Sequence, residues 1–181
     1  MKKPSRTPSR FAALTFAVAT IAMAPLFCAH ADTPAVVAAQ PAGVAIGGEV
    51  TTPLQLDAAA LAKMPRRTLT ASAHDTTGTW EGVALSDVLH AAGAPLGDQL
   101  RGKNLALYVR ISAADGYRAV FALAELDSGF RDAEVILADR HDGKPLDAKE
   151  GPFRIIAAGE KRPARWVRQV VAIDLLSAPA K

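Results

Sequence analysis

The feature that most constrains the fold is a series of short apolar segments, each bounded by glycine, proline or aspartate. Alternation of apolar and polar residues in these segments is typical of β-strands, whereas Leu85, Val88, Leu89 and Ala92 have helical spacing. No βαβ rhythm or internal repeat is present, which favours an α+β fold with mixed, mainly antiparallel sheets. Strands are predicted at 45–50, 67–73, 105–111, 117–121, 135–138, 153–157 and 166–175, and helices at 56–64, with Asp57 as the N-cap, and at 85–92. Residues 74–79 are predicted to form a polar turn, and Asp115-Gly116 a hairpin turn.

The first 31 residues have the pattern of a cleavable secretory signal peptide. Four basic residues and no acidic residue precede an apolar run from Phe11 to Phe27, and Ala29-His30-Ala31 supplies small residues at a cleavage site. A membrane-spanning helix needs roughly 20 apolar residues, more than this run provides. We therefore expect a periplasmic protein with a signal peptide at 1–31, a flexible leader at 32–44 and one folded domain at 45–177.

Removal of the signal peptide changes both the charge and the thiol content. The chain has 21 basic and 18 acidic residues, and four of the basic ones lie in residues 1–31, so 17 and 18 remain. This balance argues against nucleic acid as a partner, and no membrane insertion is expected after cleavage. The single cysteine, Cys28, also lies in the signal peptide, so the exported domain has no thiolate for catalysis, a disulfide or a metal.

Candidate chemistry in the folded domain is mainly basic. Lys161, Arg162, Arg165 and Arg168 surround Pro163 and Trp166, either as a cradle for a phosphate or as a solvated loop whose arginine stems cover the tryptophan. The three remaining histidines are far apart and form no metal-binding motif. His90 and His141 are interpreted as surface residues. His74 ends a predicted strand, a position from which loops commonly contact ligands.

Several phrases, taken in order, are similar to one known family. This chain resembles the sulfite-oxidase-type molybdopterin-binding domain in its small, stand-alone periplasmic form, over about residues 45–175. The phrases are Gly48-Glu49-Val50 with Pro53-Leu54, Thr79-Trp80-Glu81-Gly82-Val83-Ala84-Leu85 with Val88-Leu89 and Ala92-Gly93, Asp115-Gly116-Tyr117, and Arg162-Pro163-Ala164-Arg165-Trp166-Val167-Arg168-Gln169-Val170.

The resemblance implies mixed sheets whose loops hold a molybdopterin cofactor. By position, Lys161, Arg162 and Arg165 would bind its phosphate, with His74 and Arg110 nearer the metal. Catalytic members bind molybdenum through a cysteine where this chain has Ala71-Ser72-Ala73-His74-Asp75, so no metal ligand or catalytic residue is assigned.

Three functional hypotheses follow from this departure. The first is an oxidoreductase-type molybdopterin domain that still binds the cofactor, with oxygen or nitrogen donors near the metal; if it is an enzyme, it is a molybdopterin-dependent oxidoreductase. The second is a non-catalytic descendant that keeps the fold and binds a small anion or another periplasmic protein, and the third is a structural or assembly partner of a separate redox subunit.

Overall fold

The computed structural model describes residues 43–73 and 76–179. Its elements are mostly short strands, in agreement with the periodicity of the sequence. In chain order they are β1 (Gly43–Gly48), β2 (Leu54–Asp57), α1 (Ala58–Ala62), β3 (Arg66–Ala73), β4 (Thr76–Ala84), α2 (Leu85–Ala91), β5 (Leu107–Ala113), β6 (Arg118–Ala122), β7 (Val135–His141), β8 (Lys144–Pro145), β9 (Arg154–Ala157) and β10 (Val170–Ser177), with 3₁₀ turns at Gly97–Gln99, Gly102–Ala106, Leu123–Leu126 and Pro163–Arg165.

The strands form two five-stranded sheets. The first has the order β2-β1-β10-β5-β6, in which β1 and β10 are parallel and the other neighbours are antiparallel. The second has the order β3-β4-β7-β8, and β9 also pairs with β7. All its pairings are antiparallel. The predicted α+β class with mixed, mainly antiparallel sheets is confirmed.

Apolar side chains from both sheets and α2 form a common core. In β5, buried Val109 and Ile111 alternate with half-buried residues, as expected for a sheet with one covered face. By contrast, all four residues of β9 are buried. Because β9 contains Arg154, a charged side chain is placed in the interior, where it needs partners.

The local predictions agree with the structure at several element ends. Asp57 caps α1 and accepts a hydrogen bond from the amide of Ala60 at 2.7 Å. Gly116, with a φ of 86°, lies in the turn between β5 and β6. No helix in the described ranges is long and apolar enough to cross a membrane.

Other boundaries differ from the predictions. Residues 76–79, predicted as a turn, belong to β4, because pairing with β3 extends to Ala73. Trp166, predicted to begin the last strand, precedes β10 and follows a 3₁₀ turn that begins at Pro163. The first strand begins at Gly43, two residues before the predicted domain, because Val44 is fully buried and pairs with Leu56. The proposed signal peptide lies outside the described residues.

Candidate functional site

A cleft of about 420 Å³, here called the main cleft, lies where the loops of the two sheets meet. Its walls come from the end of β3, the β5–β6 turn, the segment before β9 and the segment before β10. Its residues are Ala73, Ala113, Asp115, Tyr117, Glu150, Arg154, Pro163, Ala164, Trp166, Val167 and Arg168. The cleft therefore combines an aromatic wall with charged groups of both signs.

A smaller cleft of about 240 Å³ shares three wall residues with the main cleft. The shared residues are Ala73, Glu150 and Arg154, and the others are Ala71, Gly78, Trp80 and His141. Arg154 and Glu150 thus stand at the boundary between the two clefts, and the β3–β4 hairpin contributes to both.

Arg154 is the buried charge at this boundary, with only 9% of its surface exposed. Its Nη1 donates a hydrogen bond to Oε1 of Glu150. Its guanidinium carbon lies 4.8 Å from the ring centroid of Trp80 and 5.8 Å from that of Trp166, which permits cation–π attraction to both. Its buried Nε has no hydrogen-bond partner among the described residues, so the donors of Arg154 are only partly satisfied.

His141 lies on Trp80 as a parallel stack. The ring centroids are 3.7 Å apart and the planes differ by 3°. Gly78 leaves room for this arrangement, since a Cβ atom there would come within 2.2 Å of the His141 Nε2. The imidazole therefore forms part of the smaller cleft, and the interpretation of His141 as a simple surface residue misses this role.

Hydrogen bonds hold the C-terminal wall of the main cleft in place. The hydroxyl of Tyr117 donates to the carbonyl of Ala164 at 2.6 Å, and the indole Nε1 of Trp166 donates to the carbonyl of Ala157 at 2.9 Å. Arg168 lines the same wall, is exposed, and forms no ion pair within the described part of the chain. Arg168 is thus a cation at the cleft whose donors are available.

Arg165 is held by protein groups instead. It donates to Glu160 and Glu125, both at 2.8 Å, and to the carbonyl of Val120 at 3.1 Å. Its guanidinium also lies 4.1 Å above the ring of Phe121. Burial alone would lower the pKa of Arg165, but the hydrogen bonds to the two glutamates outweigh burial and raise the pKa above its ordinary value.

None of the described residues of the predicted site lines either cleft, and Arg165 is held by protein groups instead. Lys161 and Arg162 are exposed in the turn that leads to Pro163. Pro163 lines the main cleft, whereas Lys161 and Arg162 do not. Arg110 lies on β5 and pairs with Asp174 at 2.9 Å, and it is not part of either cleft wall. His74 lies outside the described residues, immediately after Ala73.

Sequence reasoning missed Glu150, Arg154, Trp80 and His141 as site residues. One signal was available for Arg154, because it stands alone as a charge in the apolar run Phe153 to Ala157. A charged residue in a buried strand requires a partner or a ligand. For Glu150 and His141, only the tertiary fold reveals the neighbours.

Metal-binding donors are not clustered in the parts of the chain that the structure describes. No group of three or more histidine, cysteine, aspartate or glutamate side chains is arranged to hold an ion there.

Comparisons with known proteins agree with this architecture. No match was found among curated proteins. The crystal structure of the sulfane dehydrogenase SoxCD from Paracoccus pantotrophus superposes with a TM-score of 0.61 at 21% identity, covering 77% of this chain and 39% of that chain. The chain thus corresponds to less than half of that protein, and the likeness is one of fold.

The family model for the oxidoreductase molybdopterin binding domain matches residues 30–181. The chain belongs to the oxidoreductase molybdopterin-binding domain family.

Proposed function

We propose that this protein is an exported domain that binds the anionic, phosphate-bearing pterin of a molybdopterin cofactor in the main cleft. The observation that carries the proposal is the placement of Arg168 and Trp166 on one wall of that cleft. An arginine suits phosphate and an aromatic ring suits a flat heterocycle. Family membership supports the same ligand class.

The dimensions of the main cleft are consistent with this ligand. Its volume of about 420 Å³ falls in the range of clefts that hold small organic molecules, roughly 300–1,000 Å³. Asp115 and Glu150 also line it, so the cleft is not uniformly cationic. Pterin rings carry hydrogen-bond donors as well as acceptors, and carboxylates can accept from those donors.

The metal end of the cofactor fits this chain less well. The chain's one cysteine is Cys28, and residues 71–75 contain none. A bound molybdopterin would therefore receive no protein thiolate on its molybdenum, and neither serine nor histidine is an electronic equivalent of thiolate. The residues present fit the pterin and its phosphate but do not supply the expected metal ligand.

Cofactor content of the purified protein tests this proposal. The chain is produced in a host that makes molybdopterin, and pterin is quantified by fluorescence after denaturation and oxidation, with molybdenum measured by mass spectrometry. We expect close to one pterin per protein. Absence of pterin from protein made in that host would overturn the proposal.

A second candidate function is a module that keeps the fold and binds a different small anion or a protein. The missing thiolate favours this candidate, because the molybdenum of a bound cofactor would lack its expected protein ligand. Inorganic phosphate added to pterin-free protein would distinguish the two. Heat stabilisation by phosphate that depends on Arg168, without pterin in the purified protein, would favour the small-anion module.

We also propose that the protein is exported through a cleaved signal peptide. The basic start, apolar run and Ala29-His30-Ala31 sequence support cleavage after Ala31. Intact mass measurement of protein recovered from the periplasm should give a chain that begins at Asp32. A substitution of Ala31→Leu should block processing and leave the longer form in the membrane fraction. Retention of residues 1–31 in the unmodified exported protein would contradict this prediction.

A further inference from the structure

β3 differs from the other strands at the edges of the two sheets. It is the outermost strand of the second sheet and pairs with β4 over eight consecutive residues without a bulge. An edge strand presents unpaired backbone N–H and C=O groups along its outer side. In β3 this outer side is open throughout its length within the described part of the chain, since β4 is its sheet partner.

The other edges are short or covered. β2 has four residues and β8 has two. On β6, the Arg165 guanidinium donates to the carbonyl of Val120 at 3.1 Å. On β9, the amide of Ile155 donates to the carbonyl of Val167 at 2.8 Å. These are common ways in which proteins prevent edge-to-edge pairing.

The sequence of β3 has none of these protections in its second half. Residues 68–73 read Thr-Leu-Thr-Ala-Ser-Ala, with no charge, proline or glycine, and Thr68, Thr70 and Ser72 are exposed. The two arginines at its start form ion pairs with one acidic residue in β7 and one immediately before it. Arg66 pairs with Asp139 at 2.5 Å and Arg67 with Glu134 at 3.1 Å, so their charge is largely compensated.

We propose that β3 pairs with β3 of a second copy of this chain, antiparallel, to join the two second sheets into one. A strand edge is complementary to another strand edge, which makes an extended segment the required occupant. A second copy fits because the charges of β3 lie at one end. Antiparallel pairing places Arg66 and Arg67 of the two copies at opposite ends of the strand pair, whereas parallel pairing would set these like charges side by side.

The pairing register follows from the two faces of β3. Thr68, Thr70 and Ser72 share the exposed face, and Ala71 is buried on the other face. Opposite residues in an antiparallel pair lie on the same face. A two-fold axis at Thr70 places Thr70 against Thr70 of the second copy, and Thr68 against Ser72. Hydroxyl-bearing residues then face one another, a favourable cross-strand combination.

Dimerisation of this kind would also fix one wall of the site. Ala71 and Ala73 of β3 line the clefts. Pairing along β3 would hold the β3–β4 hairpin at both cleft walls in each copy. The dimer would form whether or not a pterin is the ligand.

Sedimentation velocity over a hundredfold range of protein concentration tests the proposal. We expect a monomer–dimer equilibrium for the unmodified chain. Thr70→Asp places two carboxylates opposite each other at the two-fold axis and should weaken dimerisation by at least about tenfold. The matched control is Gln55→Asp, an exposed position on the edge strand β2, which should leave the dimer unchanged. Unfolding curves establish that both variants are folded.

Disulfide formation gives an independent measure of the register. Because Cys28 is the only cysteine, a C28S/T70C chain carries one thiol, at the proposed axis. Directly paired strand residues have Cα separations that a disulfide can bridge. We expect rapid formation of a covalent dimer with C28S/T70C and not with C28S/Q55C. A monomer at every concentration, a dimer unaffected by Thr70→Asp, or equal crosslinking at both positions would each overturn the proposal.

Discussion

Two arginines eleven positions apart in the sequence have opposite relations to their surroundings. Arg165 donates to Glu125, Glu160 and the carbonyl of Val120, so protein acceptors occupy each part of its guanidinium. Arg154 is more deeply buried, yet it pairs with Glu150 alone and keeps a buried Nε without a partner in the described residues. Arg154 borders both clefts, whereas Arg165 lines neither.

This difference distinguishes Arg165, which binds protein acceptors, from Arg154, which lines the two clefts. Arg165 is half-buried, each nitrogen of its guanidinium has a protein acceptor, and it therefore connects the segments that carry Glu125 and Glu160. A buried cation with donors left over retains capacity for another group. For these two arginines, the acceptors around the guanidinium and the clefts that it borders distinguish the roles, which their charge alone does not.

Trp166 connects the two regions, so its removal should have the largest effect. It follows Arg165 in the chain, lies near the Arg154 guanidinium, and is 4% exposed. Trp166→Ala should lower the free energy of unfolding by about 3–5 kcal/mol, as is usual for a buried aromatic, measured by urea denaturation. Trp166→Phe keeps most of the packing but loses the hydrogen bond to Ala157, and should cost about 1 kcal/mol. A loss well below about 3 kcal/mol for Trp166→Ala would contradict a role for Trp166 in connecting the two regions.

Arg165→Met should have the next largest effect on stability. It removes the cation between Glu125 and Glu160 while keeping an aliphatic side chain on Phe121, and the expected loss is about 2 kcal/mol. Pterin content per folded protein should remain unchanged, because Arg165 does not line the main cleft. Loss of pterin with unchanged stability would reverse the assignment of the two arginines and restore Arg165 as a phosphate ligand.

The pH dependence of the Arg165→Met effect has a definite sign. Because the folded-state pKa of Arg165 is raised, its stabilising contribution is fully present below the unfolded-state pKa. That contribution is lost only as pH rises through the still higher folded-state value. The difference in unfolding free energy between wild type and variant should therefore be the same at pH 7 and pH 9. A difference that shrinks over this interval would contradict the paired state of Arg165.

Local sequence patterns predicted most of the sheet and part of the cleft. Alternation in β5, the Asp57 cap and the Asp115-Gly116 turn are local features, and each predicts its element without tertiary information. The turn around Pro163 was correctly seen as basic, and Pro163, Ala164 and Arg168 do border the cleft. Which arginine faces the cleft was not predictable from the sequence. It depends on Glu125, forty residues from Arg165, and on the packing of Trp80 against His141.

Arg168→Ala should have the smallest effect on stability and the clearest effect on the site. Arg168 is exposed and forms no ion pair with the described residues, so its removal should change the free energy of unfolding by less than about 0.5 kcal/mol. If its guanidinium binds the phosphate of a pterin, the loss of a charge-assisted contact should lower affinity by at least about tenfold. Pterin content, measured by fluorescence, should fall accordingly. Arg162→Ala, an exposed arginine in the same loop that does not line the cleft, is the matched control and should retain pterin. Equal retention in both variants would remove Arg168 from the site and leave Arg154 as the cation that faces the ligand.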